Sequence, residues 1–191
     1  MDAKSREWQT RFTKIWDEGN YRRGSCGQRL IPEFLKLAPK PCTVNDYGSG
    51  TGRAAAELMK MGYFVNMVDI APNALEDEAI KFAAEGKGTF TLASLWDLPE
   101  DFPDAEWGYC TDVLMTIPED RIEPVLMEIY LSCHNCFFEM FKWQDPRCGM
   151  DLTATQWSAI NWKIHLEGYW ADVRQISVPE DTRYVFACMR E

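Results

Sequence analysis

Three glycines at alternate positions mark residues 44–52 (VNDYGSGTG) as a segment that could bind a ligand. Glycine allows the backbone to turn sharply and to lie against a bound molecule. Where such a loop joins a strand to a helix, the helix N–H groups point into the crevice at the carboxyl end of the strand. An ordinary strand–helix turn is the alternative, but it seldom needs so many glycines. The pattern therefore predicts a binding loop composed of Asp46, Tyr47, Gly48, Ser49, Gly50 and Gly52.

Asp69 is the next residue whose position suggests chemistry, because it ends the following predicted strand. A carboxylate there can accept hydrogen bonds from both hydroxyls of a ribose, and the adjacent Ile70 would then contact the adenine. Asp69 could instead start a turn or cap the next helix. Its position after the glycine loop favours the ribose. A dinucleotide fingerprint would need a glycine at position 53, where the chain has Arg53, so NAD is disfavoured.

The elements that position these residues alternate between helices and strands. Trp8 and Trp16 share an apolar helical face that we expect to pack on the chain as a lid or brace. Pro72 suits the first turn of a helix, and Thr153 with Gln156 matches a capping box. The predicted helices span 5–17, 29–37, 53–61, 72–84, 119–131 and 153–166. The predicted strands span 43–47, 63–68, 89–93, 106–111, 136–142, 169–178 and 183–189.

This alternation is typical of a doubly wound α/β fold with a mostly parallel, seven-stranded, Rossmann-like sheet. The last two predicted strands are joined by a turn at residues 179–181, so the sheet ends in a hairpin and one strand must be antiparallel. A chain of 191 residues suits one compact domain. We therefore expect a single domain over residues 1–191, with an N-terminal helical lid over 1–39 and a Rossmann-like core over 40–191.

The alternating D-x-G-x-G-x-G pattern that begins at Asp46 resembles motif I of class I S-adenosylmethionine-dependent methyltransferases, whose glycines approach the amino-acid part of the cofactor. Residues 94–99 (SLWDLP) are similar to the family segment that holds the adenine edge, with Ser94 where relatives often carry Asp. Residues 112–118 (DVLMTIP) resemble the D-V-x-E-H-I-P segment of many small-molecule methyltransferases. The resemblance covers residues 40–191 and implies a methyltransferase fold with S-adenosylmethionine as cofactor.

The same resemblance implies further site residues. The additional cofactor contacts would be Ser94, Leu95, Trp96, Asp112, Val113 and Leu114. Asp97 is a second candidate for the adenine contact, or else a solvated turn residue. Met115 and Thr116 stand where those relatives carry Glu and His, which removes the obvious general base. Asp112 and His165 are the catalytic candidates that remain.

A narrower likeness concerns residues 21–29 (YRRGSCGQR) and 95–97 (LWD). Both segments look like those of small uncharacterised methyltransferases encoded by phages. This likeness implies that Tyr21 and Arg29 close over the cofactor. The planar guanidinium of Arg29 would suit the cofactor carboxylate.

Composition limits the partners of the chain. Its formal net charge is -10, the wrong sign for a protein that binds by neutralising phosphates, so a nucleic-acid substrate is disfavoured. No apolar run approaches the roughly 20 residues of a membrane span, and the first residues do not form a signal peptide, which predicts a cytoplasmic protein. The scattered cysteines predict reduced thiols. Cys133 and Cys136 lack a second ligand pair, so we expect no metal.

The sequence therefore predicts an S-adenosylmethionine-dependent methyltransferase that acts on an O or N atom of a small molecule or a sugar. In-line methyl transfer needs positioning and a dry cavity more than a strong base. Two alternatives stay open. A binding protein could keep the cofactor pocket without catalysis, since Glu and His are missing at positions 115 and 116. An NAD-dependent oxidoreductase would share the fold and Asp69. The oligomeric state does not follow from the sequence.

Overall fold

The computed structural model describes residues 1–17, 19–24, 27–142, 152–179 and 182–190. The helices are α1 (Ala3–Asp17), α2 (Gly19–Arg23), α3 (Ile31–Leu37), α4 (Arg53–Lys60), α5 (Asp77–Ala84), α6 (Ile122–Ser132) and α7 (Ala159–Glu167). The strands are β1 (Thr43–Tyr47), β2 (Phe64–Asp69), β3 (Gly88–Leu92), β4 (Ala105–Thr111), β5 (Cys133–Phe141), β6 (Asp172–Ile176) and β7 (Arg183–Met189). None of the helices in these ranges is long and apolar enough to cross a membrane.

The strands form one sheet in the order β3-β2-β1-β4-β5-β7-β6. The first five strands in this order are parallel to one another. Strand β7 is antiparallel to both β5 and β6. The mostly parallel, seven-stranded sheet with an antiparallel hairpin at its C-terminal end is thereby confirmed. Of the predicted hairpin turn, Glu180 and Asp181 lie outside the described residues.

The strand order reverses between β1 and β4, which is where α/β sheets bind their ligands. The register pairs Tyr47 of β1 with Val68 of β2, and Asp46 with Tyr109 of β4. The carboxyl ends of β1, β2 and β4 therefore meet at one edge of the sheet. The glycine loop, Asp69 and Asp112 all lie at these ends.

Apolar clusters cover both faces of the sheet and hold this edge in place. Successive residues of β5 point to opposite faces, as in any strand. Phe138 belongs to the cluster that includes Leu126 of α6 and Trp162 of α7. Phe137 belongs to the cluster that includes Phe34 of α3 and Leu58 of α4. Each face is thus closed by helices, as a parallel sheet requires.

The helix that was predicted to begin at Pro72 begins instead at Asp77, the first residue of α5. The intervening residues make tertiary contacts that a helix would break. The backbone N–H of Glu76 donates to the carbonyl oxygen of Thr51 at 3.0 Å. The Asn73 side-chain amide donates to the backbone oxygen of Thr13 in α1 at 2.9 Å. Contacts to the glycine loop and to α1 therefore override the local helix signal.

The capping box at Thr153 and Gln156 was also a wrong prediction, because α7 begins at Ala159. Its N-cap is Ser158, whose hydroxyl accepts from the backbone N–H of Asn161 at 3.2 Å. The residues before α7 pack instead on the loop after β4. There the buried Thr155 hydroxyl donates to the carbonyl oxygen of Ile117 at 2.7 Å.

Candidate active site

A crevice opens at the carboxyl edge of the sheet, above β1 and β4. It consists of two neighbouring pockets, of about 810 and 530 Å³ including space open to solvent. We call the larger one the glycine-loop pocket, which is bounded by Asp46, Ser49 and Thr153. We call the smaller one the Asp69 pocket, which is bounded by Asp69 and Trp96. The residues that line both pockets are Trp16, Tyr21, Gly48, Asp112 and Thr116.

Most of the residues predicted to contact a cofactor lie along this crevice. They are Tyr21, Asp46, Gly48, Ser49, Gly50, Asp69, Ile70, Ser94, Leu95, Trp96, Asp112 and Val113. Five predicted site residues do not line either pocket: Arg29, Tyr47, Gly52, Leu114 and His165. The reasons differ from residue to residue.

The glycine loop is fastened to the end of β2. One carboxylate oxygen of Asp69, Oδ2, accepts from the backbone N–H of Gly50 at 2.8 Å. The other, Oδ1, accepts from the backbone N–H of Ala71 at 2.8 Å. The Gly48 N–H donates to the carbonyl oxygen of Val68 at 2.8 Å. Asp69 therefore shapes the loop and also borders the crevice.

Gly50 and Gly52 are required for different reasons. Gly50 has a φ of +51°, and a Cβ added there would lie 2.8 Å from Cζ2 of Trp16. The ring of α1 therefore lies directly on the loop. Gly52 has a φ of +71°, and its added Cβ would lie 2.6 Å from Cβ of Ala79. Gly52 allows α4 to approach α5, and it does not line either pocket.

Tyr47 and Leu114 belong to the core and not to the crevice. The Tyr47 ring is fully buried, and its hydroxyl lies 2.8 Å from the hydroxyl of Ser132. Neighbouring residues of a strand face opposite sides of the sheet. Asp46 lines the glycine-loop pocket, so the side chain of Tyr47 points away from that pocket. Leu114 is fully buried in the cluster with α6 and α7.

Arg22, which was not among the predicted site residues, fastens the N-terminal segment to the core, whereas Arg29 lines neither pocket. Arg29 is exposed and lies in a short 3-10 turn. The Arg22 guanidinium donates to the carbonyl oxygens of Ala74 at 2.7 Å and of Asn73 at 2.6 Å. It also lies 5.7 Å from the ring centroid of Trp16. Arg22 thus ties α2 to the loop after β2.

His165 does not reach the crevice. Its Nδ1 atom lies 2.5 Å from Oε1 of Glu123, and its ring stacks on Trp157 at a centroid distance of 4.1 Å. Tyr169 donates to the same carboxylate at 2.7 Å. These contacts join α6 to α7 at the surface, so His165 is not positioned to act as a base in the crevice.

Of residues 94–99, the segment predicted to hold the adenine edge, only some line the crevice. Ser94 lines the Asp69 pocket, and its hydroxyl lies 3.1 Å from the buried hydroxyl of Ser5 in α1. Asp97 lines neither pocket, and its carboxylate lies 3.2 Å from the N-terminal amine of Met1. Asp97 is therefore a surface residue, which leaves Ser94 at the predicted adenine position.

Helix α1 supplies contacts that the sequence analysis did not assign to the site. The indole N–H of Trp8 donates to the carbonyl oxygen of Thr116 at 3.1 Å, and the Gln9 amide donates to that of Ile70 at 3.1 Å. Trp16 lines both pockets. The apolar helical face with Trp8 and Trp16 was the signal in the sequence that α1 packs on the rest of the chain. It did not show that the face covers a crevice.

Three buried polar atoms at the glycine loop have no hydrogen-bond partner among the described residues. They are Oδ2 of Asp46, Oγ of Ser49 and Nε1 of Trp16. An unpaired buried polar group costs about 1–3 kcal/mol, so native proteins rarely keep several together without a ligand. All three residues line the glycine-loop pocket. The lining of this pocket thus presents a carboxylate oxygen, a hydroxyl and an indole N–H that could pair with a polar ligand.

The electrostatics of the crevice are dominated by carboxylates. Burial, together with the nearby Asp69 carboxylate, raises the pKa of Asp46 to about 7. Burial also raises the pKa of Asp69, although the backbone N–H groups of Ala71 and Gly50 act in the opposite direction. A ligand that brings positive charge to this site would favour the ionised carboxylates.

Asp112 has the unusual backbone of the crevice, with a φ of +59°. Its N–H donates to Oε2 of Glu139 at 2.8 Å. Its carboxylate accepts from Arg183 at 3.1 Å, and Arg183 also forms a buried ion pair with Glu139. A strained residue persists only where its surroundings enforce it, and such residues cluster at functional sites. The contacts with the buried Arg183 and Glu139 fix Asp112 between the two pockets.

Within the described ranges, no group of three His, Cys, Asp or Glu side chains is arranged to hold a metal ion. The cysteines of these ranges are free thiols, including the pair Cys133 and Cys136 in β5. Burial raises the pKa of the Cys136 thiol well above its usual value, which keeps it protonated and unreactive. The polar side chains that line the crevice in the described part of the chain carry carboxylates, hydroxyls and indoles.

The sheet order and the crevice define the fold of class I methyltransferases, and solved structures agree. One similar structure is the 1,6-didemethyltoxoflavin-N1-methyltransferase of Burkholderia thailandensis with bound S-adenosylhomocysteine. Its TM-score is 0.74 at 16% sequence identity, and the match covers 96% of this chain and 88% of that one. A second is the magnesium protoporphyrin IX methyltransferase of Synechocystis, also with bound S-adenosylhomocysteine. Its TM-score is 0.65 at 16% sequence identity, and the match covers 90% of this chain and 84% of that one.

An O-methyltransferase family protein from Burkholderia thailandensis is similar with a TM-score of 0.66 at 14% identity, over 86% of this chain and 57% of that one. No family model and no curated protein sequence matches the chain. The solved structures support the predicted fold. They do not support the narrower likeness to phage-encoded methyltransferases.

Proposed function

We propose that the chain is an S-adenosylmethionine-dependent methyltransferase that acts on an O or N atom of a small molecule or a sugar. The observation that carries this proposal is the group of unpartnered atoms on Asp46, Ser49 and Trp16 beside the glycine loop. The methionine end of the cofactor has an ammonium group, which suits the Asp46 carboxylate. It also has a carboxylate, which suits the Trp16 N–H and the Ser49 hydroxyl.

The Asp69 pocket fits the adenosine part of the same molecule. The Asp69 carboxylate has lone pairs beyond its two backbone bonds and can accept from the ribose hydroxyls. Ile70, Leu95 and Val113 provide apolar surface for an adenine ring. The structural neighbours with bound S-adenosylhomocysteine support this arrangement.

When bound, the cofactor supplies an electrophilic methyl group on a sulfonium. The residues of this chain would hold and enclose it. Asp112, which lines both pockets, would stand beside the junction of cofactor and acceptor, and α1 would exclude water from above through Trp8 and Trp16. We propose that residues 1–39 act as a lid on a core formed by residues 40–191.

Calorimetric titration with S-adenosylhomocysteine tests the cofactor assignment. We expect one site per chain and no competition by NADH, because the unpartnered Asp46 oxygen would repel a pyrophosphate at the glycine loop. Tighter binding of NADH than of S-adenosylhomocysteine would contradict the proposal. Binding of the cofactor without turnover on any acceptor would instead indicate a catalytically silent binding protein.

The affinity for S-adenosylmethionine should rise with pH around neutrality. The folded-state pKa of Asp46 is about 7, and the cofactor ammonium favours its ionised form. A single ionisation at about 7 predicts that affinity increases by about fivefold between roughly pH 6 and pH 7, below the pH of about 8 at which an α-amino group loses its own proton. In the protein without ligand, the ionisation of Asp46 lowers the stability of the fold instead of raising an affinity. The raised pKa favours the protonated carboxyl, so its contribution to stability is lost as pH rises from about 4 through about 7.

Two variants provide the controls for this pH dependence. Asp46→Asn removes the ionisation, so we expect weaker binding with little change across the same pH range. Asp97→Asn removes a carboxylate that lies outside both pockets, so it should retain the parent profile. An Asp46→Asn variant that keeps the full pH dependence would show that another group titrates.

A further inference from the structure

We infer that the methyl acceptor is an amine that binds as a cation, and not a carboxylate, a phosphate or an unactivated alcohol. This inference rests on the proposed function and concerns the part of the glycine-loop pocket that extends toward Thr111, Leu152 and Thr153. It follows from the charges along the walls of the pocket and from the absence of a histidine among the residues described there.

The first argument is the charge of the lining. Asp46 and Asp112 line the glycine-loop pocket, and Asp69 lines the pocket beside it. No Lys, Arg or His lines either pocket in the described part of the chain. Arg183 pairs with Asp112 from behind, and its guanidinium is shared with the buried Glu139 and does not line either pocket.

The second argument is that the buried oxygen of Asp46, which the cofactor ammonium would pair with in the proposed function, marks this acidic lining as a ligand site and not a solvated cluster. The cofactor carries a net charge of about one positive unit. That single net charge is smaller than the number of carboxyl groups along the crevice, which are those of Asp46, Asp69 and Asp112. An anionic acceptor would add repulsion in a poorly solvated site, whereas an ammonium group would reduce it.

The third argument concerns the reaction itself. An alcohol must lose its proton to become a useful nucleophile, which requires a base. His165 is paired with Glu123 outside the crevice, and Met115 and Thr116 stand where the methyltransferases that the chain resembles carry Glu and His. An amine that has released its proton to solvent has a free lone pair. That pair forms the bond to the methyl carbon as the carbon–sulfur bond breaks and its electrons return to sulfur, and the product ammonium then loses a proton to water.

A binding experiment with three probes of one skeleton tests the inference without knowledge of the natural acceptor. The probes are 2-phenylethylamine, 2-phenylethanol and phenylacetate, titrated into the protein saturated with S-adenosylhomocysteine at neutral pH. We expect the amine to bind at least about tenfold more tightly than phenylacetate, with the alcohol between them. Equal or tighter binding of phenylacetate, or no binding of any probe in the millimolar range, would overturn the inference.

A pair of lysine variants shows whether the preference arises in this pocket. Thr153→Lys places a cation in the lining, whereas Ala154→Lys places one on the adjacent exposed residue, which does not line the pocket. Thr153→Lys should lose the preference for the amine, and Ala154→Lys should keep it, at unchanged unfolding midpoints. A Thr153→Lys variant with the parent preference would show that the probes bind elsewhere.

Failure of the proposed function has a different signature. If S-adenosylhomocysteine itself does not bind, the methyltransferase proposal is wrong whatever the probes do. The same three titrations on the unloaded protein then still report the charge preference of the pocket. If S-adenosylhomocysteine binds and phenylacetate is preferred, only the acceptor class is wrong.

Discussion

Replacement of Asp69 by alanine is expected to weaken S-adenosylmethionine binding by about a hundredfold or more. A hydrogen bond to a charged group contributes roughly 1.5–3 kcal/mol, and two ribose hydroxyls would lose their acceptor. The same change releases the backbone N–H of Gly50, which Asp69 holds at 2.8 Å. A hundredfold loss corresponds to about 2.7 kcal/mol. Calorimetry with parent and variant measures the difference.

Two comparisons separate ribose binding from loop shape. Asp69→Asn keeps the size of the side chain and one carbonyl oxygen, so it can retain part of the loop contacts while it loses the charge. We expect intermediate affinity. Asp97→Ala, on an exposed carboxylate outside the crevice, should bind like the parent. If Asp69→Ala remains folded and binds as tightly as the parent, the ribose assignment is wrong.

The sheet was predictable because its signals are local. Residues 43–47 combine β-branched and aromatic types ahead of the glycine turn, and β1 has those bounds. Gly62 follows α4 with a φ of +94°, as a helix-ending glycine should. The alternation of elements and the final hairpin predicted a mostly parallel sheet with one antiparallel strand, but they did not predict the order of the strands.

The start of α5 and α7 could not be predicted in the same way, because distant residues decide it. Asn73 binds α1 and Thr155 binds the carbonyl oxygen of Ile117. In each contact a polar side chain forms a hydrogen bond to a distant part of the chain, and an earlier start of the helix would move that side chain away from its partner. Propensity is a weak signal and tertiary contacts of this kind override it.

The candidate site was predicted best where a residue follows directly from a strand end. Asp46, Asp69 and Asp112 lie at the ends of β1, β2 and β4, and all three line the crevice. Trp16 could not be assigned, since its contact with Gly50 joins residues that are distant in sequence. His165 was misplaced because helical position alone does not show that Glu123 and Trp157 hold its ring at the surface.

Replacement of Arg183 by methionine should cause the largest loss of stability, about 3–5 kcal/mol. Its side chain is 4% exposed and pairs with Glu139, which is fully buried, and with Asp112. Without the guanidinium, two carboxylates remain together in a site with little water. Burial and the Asp112 carboxylate raise the pKa of Glu139, and Arg183 opposes both effects. The variant should therefore lose further stability as pH rises through that raised pKa, which urea unfolding at several pH values measures.

The double variant Glu139→Gln, Arg183→Met distinguishes an unpaired charge from a simple loss of packing. The glutamine amide would be neutral and close in size to the native carboxylate, and its oxygen could still accept from the N–H of Asp112. Removal of both charges from a buried pair costs much less than removal of one. We expect the double variant to recover at least about half of the lost stability and to show little of the pH dependence. A double variant no more stable than Arg183→Met would show that the arginine side chain contributes through packing against Phe141, whose ring centroid lies 4.8 Å from the guanidinium carbon.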